Sequence, residues 1–186
     1  MLRPTMKNMT RALAGLLAAA GTTAAITIAG LTSAGAQPAD LTTLPVHPNG
    51  VTDSSAWVPS PAVLNPAGQQ GVETTFSHRD GSRSITDRIT VYDNPEAAKA
   101  AMQANTTGEP VASPFTKTVP VGEGGVLTTG TSPDGAKSVG VLQFTSGTAL
   151  TTVRFEGPPG DTVPEDMAVQ YGQSQHTANQ QALNRN

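Results

Sequence analysis

Three observations predict an α+β domain built on a single antiparallel β-sheet, in the order ββ-α-βββ-α with two helices packed on one face. Apolar residues alternate with polar ones in five short runs, Gly-containing turn signals separate those runs, and two stretches change to helical spacing. The first run, GVETTFSH from Gly71, sets Val72, Thr74 and Phe76 against Glu73, Thr75 and Ser77. The second, RSITDRITVY, places Ile85, Ile89 and Val91 on one face, with Asp87 interrupting them and Tyr92 closing the run. Asp80-Gly81 joins the two as a hairpin, because both central positions of a tight turn favour residues that tolerate positive φ. NPEAAKAAMQAN then reads as a thin, alanine-rich helix, with Asn94 as cap, Pro95 at the first helical position and Glu96 facing the positive end of the dipole. A connection carrying Pro110, Pro114 and Pro120 leads to GEGG and a meander of three strands, GGVLTTG, KSVGVLQFT and ALTTVRFEG. Ser132-Pro133-Asp134-Gly135 and Ser146-Gly147 are its turns. Thr162-Val163-Pro164-Glu165 fits a capping box for a last helix through Met167 and Tyr171, which Gly172 weakens and which frays after Gln173.

The amino-terminal segment has a different character. Arg3, Lys7 and Arg11 precede the apolar run ALAGLLAAAGTTAAITIAGL, and Ala34-Gly35-Ala36 follows it. This is the charged start, apolar middle and small-residue exit of a secretory signal peptide, with cleavage expected after Ala36. A retained anchor is the alternative, but the glycines and threonines of the run suit spanning a bilayer poorly. The division expected is therefore a cleaved signal over 1–36, a Pro-rich irregular leader over 37–70, the α+β domain over 71–183 and a frayed tail over 184–186.

Cleavage would take three of the 11 basic residues and none of the 14 acidic ones, leaving an acidic chain. Such a chain lacks the phosphate-neutralising charge that drives nucleic-acid binding, and it keeps no integral membrane segment. With no cysteine there is neither a disulfide nor a thiolate nucleophile, so packing alone must hold the fold.

The stretch SHRDGSRS, Ser77–Ser84, carries the residue types of a hydrolase triad and the His-Arg-Asp of a kinase catalytic loop. The kinase pattern fails because no Asn follows at the required spacing. The triad fails because adjacent strand residues point to opposite faces. A solvated hairpin tip is the reading, with Arg79 and Arg83 there, and Tyr92 at the end of the second strand, as candidate ligand or partner contacts. Trp57, alone among prolines, either docks the leader or touches a ligand. Asp87 is structural if it pairs with Arg88 or Arg154, and otherwise marks the mouth of a polar-lined pocket. The three histidines lack metal-ligand spacing, and no cofactor motif is present.

The run NPAGQQGVETTFSHRDGSRSITDRITVYDNPEAAKAAM, then VPVGEGGVLTTGTSPDGAKSVGVLQFTSGTALTTVRFEG and VPEDMAVQYGQSQ, resembles small exported proteins of mycobacteria and related actinobacteria. The element order is similar to the PsbP-like α/β/α sandwich of mycobacterial envelope lipoproteins and, more loosely, to the extracellular sensor domains of mycobacterial receptor kinases. The chain departs from both in having no lipobox cysteine and none of the cysteines that staple the sensor domains. The resemblance implies a secreted or envelope protein that acts by binding, without catalytic residues. The expectation is a monomeric, non-enzymatic module whose partner is an envelope lipid, glycan or protein. A pocketless interaction protein, or a hydrolase with an unrecognised site, is the alternative.

Overall fold

Among the described residues, eight runs of extended backbone pair into one antiparallel sheet, and two α-helices pack against it. In this computed structural model the described residues are 40–52, 55–104 and 110–183, so the expected signal segment and the tail over 184–186 lie outside them. The strands are β1 (Trp57–Pro59), β2 (Val63–Leu64), β3 (Gly71–His78), β4 (Ser84–Val91), β5 (Ala112–Thr118), β6 (Glu123–Thr131), β7 (Ser138–Ser146) and β8 (Ala149–Gly157). The helices are α1 (Pro95–Gln103) and α2 (Glu165–Leu183). The sheet runs β1-β3-β4-β8-β7-β6-β5, and β2 also pairs with β3. The α+β class and the single antiparallel sheet are those the alternation predicts.

Local chemistry sets the turns and caps. Gly81 takes φ 73° at the β3–β4 tip, and Gly147 takes φ 57° in the two-residue turn between Ser146 and Ala149. Both lie where a side chain would be strained. Asn94 caps α1 by accepting from the Ala97 amide at 2.8 Å, with Pro95 at the helix start. Replacing Asn94 with alanine is expected to cost about 1 kcal/mol, read as a lowered urea midpoint with unchanged slope.

Several elements differ from expectation. Residues 112–118, expected as a proline-broken connection, form edge strand β5. The ladder tolerates Pro114 because it sits at a register shift between Ala112 and Phe115 on an edge, where a missing N–H costs nothing. The leader is not irregular throughout, since β1 and β2 both pair with β3 and Leu44 is buried. The capping box does not form, because the Glu165 carboxylate is taken by Lys117 of β5. α2 does not fray after Gln173 but continues to Leu183, with Gln175 and Asn179 fully buried and hydrogen-bonded.

The helices also lie on opposite faces of the sheet rather than on one. α2 presses Gly172 onto the Leu142 side chain, whereas Met102 of α1 shares a cavity with Val141 and Gln143. Neighbouring strand residues point to opposite sides, so these contacts cannot share a face. The α2 face holds the core, with Phe76, Ile85, Leu142, Phe144, Val153, Phe155 and Tyr171 in one cluster and Leu44, Val72, Ile89 and Ala149 in a second. The α1 face is polar. It carries the pairs Arg88–Glu73 at 2.5 Å and Arg154–Glu156 at 2.8 Å, and the hydroxyl contacts Thr75–Thr86 and Thr116–Thr128, each at 3.0 Å.

Candidate functional site

The α1 face acquires a groove because α1 is thin. Its buried residue is Ala98, so the helix sits close to β7 and β8, while β6 and β5 extend past it. Two cavities lie along this margin and share Met102 and Val126. One, about 380 Å³, has Val111, Pro114 and Val141 as apolar walls and Thr116, Thr128 and Gln143 as polar ones. The other, about 510 Å³, ends at Lys99 and Glu123, which are paired at 2.8 Å. The ammonium of Lys99 holds the Glu123 carboxyl below its usual range, and Glu123 in turn raises Lys99. Each volume falls in the range of small-ligand sites; the cavity ending at Lys99 and Glu123 is mainly apolar, whereas the other is lined about equally by polar and apolar surface.

The residues singled out by sequence do not converge. Trp57 is buried, edge-on to His78 with centroids 5.4 Å apart, and its backbone N–H donates to Asn49 Oδ1. Trp57 and Arg83 line one cleft with Ile85, Phe155, Val163 and Met167. Its volume is about 60 Å³, far below what an organic ligand needs. At its rim Arg83 bonds Asp161, Nη2 to Oδ2 at 2.5 Å and Nε to Oδ2 at 2.8 Å. Arg79 is exposed at the tip, tied by its backbone N–H to the Ala56 carbonyl. Tyr92 is half-buried just past β4, its backbone N–H donating to the Thr148 carbonyl.

The letters that resembled a triad form a turn. His78 Nδ1 lies 2.6 Å from Asp80 Oδ1, and that same oxygen accepts from the Ser82 hydroxyl at 2.6 Å and the Ser82 amide at 2.8 Å. The Ser82 bonds, with His78, hold the Asp80 carboxyl far below the carboxylate range. Serine thus bonds the acid and not the imidazole, the reverse of what nucleophile activation requires. A second Ser–His pair went unseen in the sequence, because its members are 30 residues apart. Ser146 Oγ of β7 sits 2.6 Å from His176 Nδ1 of α2. Ser146 is only 3% exposed, so a substrate carbonyl has no approach to its hydroxyl. Among the described residues no three His, Asp or Glu side chains are grouped to hold a metal ion.

Asp87 is paired with neither Arg88 nor Arg154, which point to the opposite face and bind Glu73 and Glu156. It is fully buried beneath α2, where Oδ2 lies 3.1 Å from the Tyr171 hydroxyl and Oδ1 has no partner among the described residues. Burial pushes its pKa up to about 7, and the Tyr171 hydroxyl only partly opposes that. Beside it, Gln175 Oε1 accepts from the Val46 amide at 2.7 Å, while Nε2 donates to the Leu44 carbonyl and to Asn179 Oδ1, both at 2.9 Å. Asn179 Nδ2 in turn donates to Thr151 Oγ1 at 2.8 Å.

Sheet order, helix placement and groove together define an α+β domain with one core-bearing face and one grooved polar face. Its fold is similar to that of the extracellular domain of PknH from Mycobacterium tuberculosis, with a TM-score of 0.50, 12% identity, and coverage of 77% of this chain and 98% of that one. At that identity the likeness concerns the fold alone. The sequence matches no protein-family model and no curated protein. No helix among the described residues is long and apolar enough to cross a membrane.

Proposed function

We propose that the chain is a secreted or cell-envelope binding module that holds a small, largely apolar ligand, such as a lipid chain, in the groove beside α1. The observation that carries this reading is the pair of adjoining cavities over Met102 and Val126, on a face otherwise occupied by ion pairs and threonines. The signal-like segment and a fold similar to the extracellular domain of PknH support export. The reading is non-enzymatic, since neither Ser–His pair presents an activated, reachable hydroxyl.

Native mass spectrometry of protein taken from its own culture medium tests it. A reproducible adduct is expected, and Val126→Trp, which fills the space common to both cavities, should lose it while remaining folded. A bare wild-type chain, or an adduct that V126W retains, would overturn the reading. A second reading, a protein-docking surface, rests on Val58, Val63 and Leu64, all about half exposed on the strands flanking β3. Crosslinking in whole cells should then recover one dominant protein through that edge.

A further inference from the structure

The segment Asp40–Thr52 is laid along α2 as a strap, and its hold is built from buried side chains. Gln175 receives the Val46 N–H and donates to the Leu44 carbonyl, so one amide side chain replaces a neighbouring strand. Leu44 itself is 2% exposed, packed with Val72, Ile89 and Ala149. The third tie is the Tyr171 hydroxyl, 2.7 Å from the Val46 carbonyl and 3.1 Å from Asp87 Oδ2. Both neighbours are oxygens, and a phenol has one hydrogen. It can serve the strap or the carboxylate, but not both.

We propose that Asp87, Tyr171 and the Val46 carbonyl form a proton-controlled latch on this strap. With Asp87 protonated, its own O–H donates to the Tyr171 oxygen, which leaves the phenol hydrogen for Val46. When Asp87 gives up that proton to solvent, the carboxylate takes the phenol hydrogen, and the half-buried Val46 carbonyl loses its donor. The strap then rests on Gln175 and on Leu44. Among the described residues no other charged side chain contacts this trio. Asp87 is flanked by Thr74 of β3 and Val153 of β8, and it is covered by Tyr171. Arg88, Glu73, Arg154 and Glu156 occupy the opposite face. Of the nearest histidines, His47 lies edge-on to Phe76 and accepts from the Asn49 amide, and His176 is held by Ser146. The elevated pKa of Asp87 puts the switch near neutral pH.

Hydrogen exchange at the Val46 amide, corrected for the intrinsic rate, reads the latch in the full chain. Wild type should lose at least about tenfold of its protection between pH 5.5 and pH 8.5. Asp87→Asn, whose amide donates to Tyr171 as the neutral acid does, should keep high protection at both. Tyr171→Phe should show low protection at both, and His47→Gln should retain the wild-type response. Equal wild-type protection at the two pH values, or a Y171F chain that still responds to pH, would overturn the latch. So would D87N behaving as wild type.

Discussion

Replacing Gly172 with valine is expected to lower stability by about 3 kcal/mol, near the top of the range for overpacking a filled core. Considered alone, a glycine inside α2 costs about 1 kcal/mol against alanine, so any side chain there should help the helix. The packing reverses that sign. A Cβ at this position would lie 2.5 Å from Leu142 Cδ2 and 2.7 Å from Val121 Cγ1. Both neighbours are essentially inaccessible, and Val121 is β-branched and so has little rotamer freedom with which to yield. Alanine should already lose stability, though less than valine, because its Cβ must displace the stiff Val121 as well as the Leu142 tip, and the helix gain of about 1 kcal/mol offsets only part of that. Valine adds two methyls where neither neighbour can retreat. Urea unfolding of both variants checks this, and a valine variant as stable as wild type would mean that α2 does not seat this closely on β7.

The same position shows where sequence reading succeeds and where it stops. Strand periodicity and the Asn94 cap depend on residues adjacent in sequence, and the structure places both as local pattern predicts. The Asp80-Gly81 dipeptide does mark the hairpin, but the tip is a longer loop between His78 and Ser84 in which Gly81 and not Asp80 takes positive φ. Gly172 read as a weakness because its reason lies 30 residues away, in Leu142. Gln175 and Asn179 read as a fraying polar end for the same reason. Their partners, Leu44, Val46 and Thr151, come from distant segments. β5 was hidden because Pro114 signals a break unless the strand is known to be an edge. The groove was legible only as a thin helix that could lie close to a sheet. Its walls come from β5, β6 and β7, and no local motif announces that they meet under Met102. Asp87 stood out as an acid at an apolar strand position, yet the expected arginine partners were on the wrong face, a consequence of the same alternation that identified the strand.

That acid gives the other large effect. Asp87→Asn is expected to leave stability nearly unchanged at about pH 4 and to raise it by up to about 4 kcal/mol at pH 8. Unfolded, Asp87 ionises near its ordinary value of 3.8, whereas in the native protein it does so at about 7. Between those limits the native state keeps a proton that the unfolded state has lost, so raising the pH favours unfolding. The loss of stability begins as pH climbs past the unfolded value and levels off once the native carboxyl has ionised too. Its size follows from about three pKa units at roughly 1.4 kcal/mol each. Asparagine has no such proton to lose, while its amide reproduces the bond that the neutral acid makes to Tyr171. The direction is the reverse of the common acidic side chain held by a salt bridge, which stabilises at neutral pH and fails in acid. Urea unfolding from pH 4.5 to 8.5 on both proteins isolates the term. Every other side chain is common to the two proteins, so the difference between the two curves isolates position 87. A difference that stays flat across that range would place the native Asp87 pKa at its ordinary value, with water or a cation reaching Oδ1. A difference that grows with pH would identify a carboxyl whose burial the fold tolerates at a stability cost, in the position that lets Tyr171 choose between the sheet and the strap.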